Sequence, residues 1–277
     1  AWQDEQTGPQ FADMLDDFTG TDTKRFTVFN GRHPDGYALP LLTRWYEFLA
    51  LFVAEEVPRI AEGIRDLAPS AVGGSFGTEG VGFEPDRFAE FDDDDYEGVL
   101  EAWKAEPEVR VLFDSGAGAE PGYPIPSFEA GYDQRPPADL EERVYYLGDG
   151  TLTADESAVE EGTDTFVNDV ASGELDFVGD EDGQLALLWD FDWQPWPEGT
   201  SIDYVTEPFD EDVVLGGPGY VELFAQIPSG DADLQATISV IREDGTEWKV
   251  TTGLLRASDR AVDEERSEGL QIERSYA

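Results

Sequence analysis

For roughly the first hundred residues the apolar positions recur every three or four residues; beyond that they alternate. In "PQFADMLDDF" Phe11, Met14, Leu15 and Phe18 fall at i, i+3, i+4 and i+7, which predicts an amphipathic helix opened by Pro9. "RFTVFN" follows as a short strand of aromatic and β-branched residues, stopped by Asn30-Gly31. From Leu41 to Glu56 the apolar residues Leu41, Leu42, Trp45, Phe48, Leu49, Phe52 and Val53 cover much of a helical circumference, predicting a well-buried helix. Pro58 ends it and can open a second short helix through Ile60, Ile64 and Leu67.

Between Pro69 and Glu106 the chain turns Gly-rich and acidic, with one helix predicted around "YEGVLEAWKA". After Glu108 the period changes to two. Strands are predicted at "VRVLF" from Val109, "RVYYL" from Arg143, "QLALLWDF" from Gln184, "GYVELFAQI" from Gly219, "LQATISVI" from Leu234 and "TEWKVTT" from Thr246. Asp244-Gly245, at the centre of "REDGTE" between two alternating runs, predicts a hairpin. Many short strands separated by Gly, Pro and Asp turns point to an antiparallel sandwich. The boundary between the two patterns falls near 105–110, and no internal repeat is present.

Charge changes the setting of this picture rather than its outline. The chain holds 63 Asp and Glu against 17 Lys and Arg, a net charge of −46. Such a density repels itself in ordinary salt, and the range of repulsion shrinks from about 10 Å at 0.1 M to about 3 Å at 1 M salt. A protein of a salt-loving organism is expected. Nucleic acid is excluded as a partner, since its phosphates would be repelled. With no cysteine there is neither a disulfide nor a thiolate metal site, and the compartment stays open between cytoplasmic and secreted. No apolar run approaches the ~20 residues of a membrane span. No signal peptide precedes Trp2, Gln3 and Asp4, and a chain opening in this way is expected to be an interior piece of a longer polypeptide.

The candidate chemistry centres on His33, the one histidine, within "RFTVFNGRHPDGY". Asp4 lies 29 residues before it, and with Ala1-Trp2 read as the tail of a strand, loop, helix and strand between them form one strand–helix–strand unit of about 30 residues. Parallel strands have their carboxyl ends on one edge, the edge where open α/β sheets bind ligands. A carboxylate and an imidazole there are the back of a nucleophilic triad: the acid fixes the ring, and the ring takes a proton from a serine. The alternative is that Asp4 caps the helix near Pro9 and His33 is an exposed loop residue.

"WQDEQTG", Trp2 to Gly8, resembles the segment around the catalytic aspartate in serine hydrolases of the cocaine esterase and X-Pro dipeptidyl-peptidase type. "NGRHPDG", Asn30 to Gly36, falls where that family has its catalytic histidine, and Asp203 to Arg260 resembles the family's C-terminal jelly-roll domain. The resemblance covers residues 1–65 and roughly 108–260. It implies an α/β-hydrolase fragment, the C-terminal part of the sheet, in residues 1–68. A connecting or inserted segment at 69–107 follows, and then an all-β jelly-roll sandwich at 108–277. It further implies Asp4 as orienting acid, His33 as general base, and an ester, amide or X-Pro peptide as substrate, with no cofactor and no metal. Family members often carry a Trp shortly before the histidine; here Gly31-Arg32 stands in that place.

The nucleophile is not in evidence. "GGSFG", Gly73 to Gly77, is a Gly-x-Ser-x-Gly match, but Ser75 follows both partners in the chain, and α/β-hydrolases run Ser, Asp, His. It reads as a chance match in a Gly-rich loop. The serine is expected upstream, in a missing part of the same polypeptide, leaving these 277 residues inactive alone. Asp92–Asp95 reads as solvated surface, and "GDEDGQ", Gly179 to Gln184, lacks the remaining oxygen ligands of a calcium loop. The competing function is a carbohydrate-binding or surface sandwich module contacting sugar through Trp189, Trp193 and Trp196.

Overall fold

The computed structural model describes residues 1, 4, 9–29, 31, 33–76, 80–113, 125–134, 137–165, 167, 196, 200–228 and 231–259. Pro9–Asp17 coils as a 3-10 helix rather than an α-helix. A three-residue repeat serves a face of i and i+3 positions as well as a 3.6-residue one does. Leu15 is buried against Val28, Val109 and Val111, with Phe11 packed beside them, while Met14 and Phe18 stay exposed.

Strand β1 (Phe26–Phe29) pairs in parallel with β2 (Val109–Phe113), and β2 pairs antiparallel with β3 (Phe128–Tyr132). The parallel neighbour of β1 is thus β2. Ala1 is irregular, packed against Phe29, Leu41 and Leu112, and Trp2 lies outside the described residues. The sheet also runs across the boundary read near 105–110, because β1 precedes it and β2 lies at it.

Helix α1 (Leu39–Leu49) opens on Pro40 and gives way to a π-helical turn at Ala50–Ala54, ending before Pro58. It is not buried all round. Trp45, Leu49 and Val53 are exposed, whereas Thr43 and Glu47 are among its buried residues. Polar residues point inward because the facing segment supplies partners. The Thr43 hydroxyl donates to the Leu39 carbonyl at 2.9 Å and accepts the Glu84 N–H at 3.0 Å, and Arg87 grips Glu47 through two nitrogens. A periodicity of apolar residues carries no information about a partner forty residues away.

Helix α2 (Glu62–Phe76) continues through Pro69, so the stretch expected to be a Gly-rich loop around Ser75 is helical backbone. Helix α3 (Tyr96–Lys104) lies where predicted. Residues expected to form a connecting segment supply core instead: Phe88, Val99 and Trp103 close on Leu51 and Val57. Trp103 meets Phe52 edge-on at 4.9 Å between centroids, and the Arg25 guanidinium lies 4.3 Å over its ring. The acidic run has structural work too. Asp95 accepts the Gly98 N–H at the start of α3, and Asp93 pairs with Arg59 at 2.9 Å.

Further on, the alternating runs are realised unevenly. "RVYYL" contributes only β4 (Tyr146–Leu147), paired with β5 (Leu152–Thr153). "LQATISVI" and "TEWKVTT" become β6 (Asp233–Ile241) and β7 (Glu247–Arg256), a hairpin turned on Gly245, whose φ of +82° glycine adopts without strain. The segment from Gly219 is not a strand; Tyr220, Val221, Leu223 and Phe224 are exposed. Alternation expresses a preference, but a strand exists only with a hydrogen-bonded neighbour, and none of the described residues pairs with this segment. "QLALLWDF" lies outside the described residues. Among these, the alternating region shows small two-stranded sheets.

Candidate functional site

β1 ends at Phe29, and four residues later the chain enters a 3-10 turn, His33–Tyr37, which leads directly into α1. His33 thus follows the carboxyl end of β1, which runs parallel to β2. Asp4 reaches the same place from the other end of the segment. His33 Nδ1 lies 2.9 Å from Asp4 Oδ2. The expected pair is therefore in hydrogen-bonding contact, across 29 residues of chain.

The two side chains differ in exposure: Asp4 is 8% exposed and the imidazole 42%. An ionised carboxylate only accepts hydrogen bonds, so the proton between the groups belongs to Nδ1. A buried acid steadies an imidazole whose outer part faces solvent. That arrangement can take a proton at Nε2 and stabilise the imidazolium that results.

Two neighbours escaped the sequence reading. Asp35, two residues beyond His33, is fully buried. Gly31 is buried as well, and a Cβ there would sit 3.0 Å from both Asp35 Oδ2 and the Phe29 ring. A side chain at position 31 would press on both groups, which is consistent with the departure from the family pattern just before the histidine. A glycine after a strand reads as a turn whether or not a carboxylate lies against it, so nothing in the sequence distinguished the two.

The remaining candidates are dispersed. Ser75 lies in the last turn of α2, which is helical from Glu62, and so has no strand before it as a nucleophile elbow requires. Trp196 is half-buried, while Trp189, Trp193 and the Gly179 to Gln184 stretch lie outside the described residues. Among the described residues no three His, Asp or Glu side chains are grouped to hold a metal ion, and no helix is long and apolar enough to cross a membrane.

Comparison with known proteins gives one match. Residues 101–274 fit the family model of the X-Pro dipeptidyl-peptidase C-terminal non-catalytic domain, a β-sandwich domain. The matched span begins within α3, takes in β2 through β7, and contains neither Asp4 nor His33. No curated protein and no solved structure matches the chain.

Proposed function

Because this chain belongs to the X-Pro dipeptidyl-peptidase C-terminal non-catalytic domain family through residues 101–274, we propose that the residues before that span carry the acid and base of a serine hydrolase. The enzyme acts on esters or amides, X-Pro peptides among them, with the nucleophilic serine supplied by polypeptide outside these 277 residues. The serine hydroxyl gives its proton to His33 Nε2 as its oxygen bonds to the acyl carbon. Asp4 holds the imidazolium, which then protonates the leaving amine or alcohol, and water releases the acyl group by the same steps in reverse roles.

The observation that carries this reading is the 2.9 Å contact between the buried Asp4 carboxylate and the half-exposed His33 ring. A carboxylate that orients an imidazole and stabilises its protonated form is what acyl transfer requires of its acid–base pair. The test is made on the polypeptide as encoded, with a fluorophosphonate probe, a chromogenic ester and an X-Pro anilide. His33→Ala or Asp4→Ala is expected to lower turnover by about 10²–10⁴, with the circular dichroism spectrum unchanged. Turnover close to wild type in either variant sinks the assignment.

A further inference from the structure

We propose that Asp35 is a positioning residue for His33, fixing from beneath the turn that presents the imidazole; this rests on the reading of His33 as a base. His33 and Asp35 share the 3-10 turn His33–Tyr37 and face opposite ways: the ring is half-exposed, the carboxylate fully buried. A carboxylate gives up its hydration only where the protein replaces it with hydrogen bonds and close polar contacts. An acid buried in a tight turn therefore dictates the path of the backbone around it.

That path is defined on both sides of His33. Upstream, Asp35 Oδ2 occupies the space beside Gly31 that a Cβ would need, and the Phe29 ring closes the other wall. Downstream, the Asp35 carbonyl accepts the Ala38 N–H at 2.9 Å, tying the turn to the first residues of α1. His33 sits between these two fixed points. The acids divide the task, with Asp4 orienting the ring and Asp35 orienting the backbone from which the ring projects.

Since His33 is the sole histidine, its ring nitrogens can be followed without ambiguity by long-range ¹H–¹⁵N NMR on this 277-residue chain. The wild-type spectrum should show the Nδ1–H tautomer, held by Asp4. Asp35→Asn keeps the shape of the side chain and removes its charge. It is expected to shift the ring several-fold toward the Nε2–H tautomer, as Asp4→Asn should directly, with the far-UV spectrum intact. Gly31→Ala presses a methyl group against the same carboxylate and should move the ring the same way. A tautomer ratio equal to wild type in both variants would overturn the proposal. So would global unfolding of Asp35→Asn, which would make Asp35 a support of the core and not of the histidine. The hydrolase reading fails separately: a polypeptide that hydrolyses nothing yet shows the tautomer shift loses only that reading, while an active one with an unmoved tautomer loses only this one.

Discussion

Residues 9–113 and residues 137–259 use the same kinds of side chain to different effect. In the first region aromatic and aliphatic residues from distant parts of the chain close on one another, as Leu51, Phe88, Val99 and Trp103 do. In the second, Val214, Leu215, Tyr220, Phe224 and Leu254 are all exposed. Hydrophobicity is therefore not what separates them. The first region has a three-stranded sheet, helices and an ionic clamp that locks them; the described part of the second has two-stranded ribbons, with a single bridge from Thr151 to Val205 beside one and the 3-10 helix Pro9–Asp17 in contact with the other. A two-stranded ribbon gains little stability until a further layer covers one face.

The clamp shows how much the first region invests in fixing its geometry. Arg87 binds the buried Glu47 and also Glu106; Arg44 reaches Glu84 and Glu106; Arg110 pairs with Glu84 and Glu129. Burial is the largest influence on both Arg87 and Arg110. It leaves Arg87 below its ordinary range, whereas at Arg110 the carboxylates of Glu129 and Glu84 more than offset it. In a chain of net charge −46, three arginines gathered on four glutamates, of which Glu47 is buried, are a concentrated use of scarce cations.

The sharpest test of the contrast is a pair of truncations. Trp103→Ala removes a ring packed on Phe48 and Phe52, and is expected to cost about 3–5 kcal/mol in denaturant unfolding. Leu254→Ala, at a side chain 65% exposed, should stay within about 0.5 kcal/mol. Equal losses would erase the distinction between the regions. Next comes the clamp: Glu47→Gln should cost about 2 kcal/mol by the same measurement. That lies below the 3–5 kcal/mol usual for breaking a buried pair, because Arg87 keeps Glu106. No loss at all would make the network a surface ornament.

The smallest effect is expected in the β6–β7 hairpin. Asp231, held by Ser258 and the Ala232 N–H, Asp233, held by Arg256, and Asp244, held by Thr246, all have lowered carboxyl pKa values. A lowered folded value means that the stability these groups contribute is present above the ordinary carboxyl pKa of about 3.9 and fades as pH falls below it. Amide chemical shifts of β6 and β7, followed from neutral pH downward, should lose their dispersion only in that acid range. Loss already near pH 6 would show that these carboxylates do not hold the ribbon.

Sequence spacing anticipated the meeting of Asp4 and His33. Among the described residues the parallel partner of β1 is β2, drawn from eighty residues further on, while Trp2, in the strand expected there, lies outside the described residues. Hairpin β6–β7 was legible because Asp244-Gly245 is a local signal, complete within a few residues. The inward turn of Glu47 was not, nor the burial of Asp35, because in both cases the deciding atoms belong to other parts of the chain.

By itself the sequence determined the local things: which segments could coil or extend, where the chain reverses, and that one acid and one imidazole lie a supersecondary unit apart. It also carried the order of residues that places the chain in its family from 101 to 274. Only the tertiary structure decided which face of α1 is buried, which strand β1 joins and that Asp35 is buried beside Gly31. Those outcomes depend on where hydrogen bonds and charges are satisfied across tens of residues, and local preference fixes the menu of elements without fixing the contacts among them.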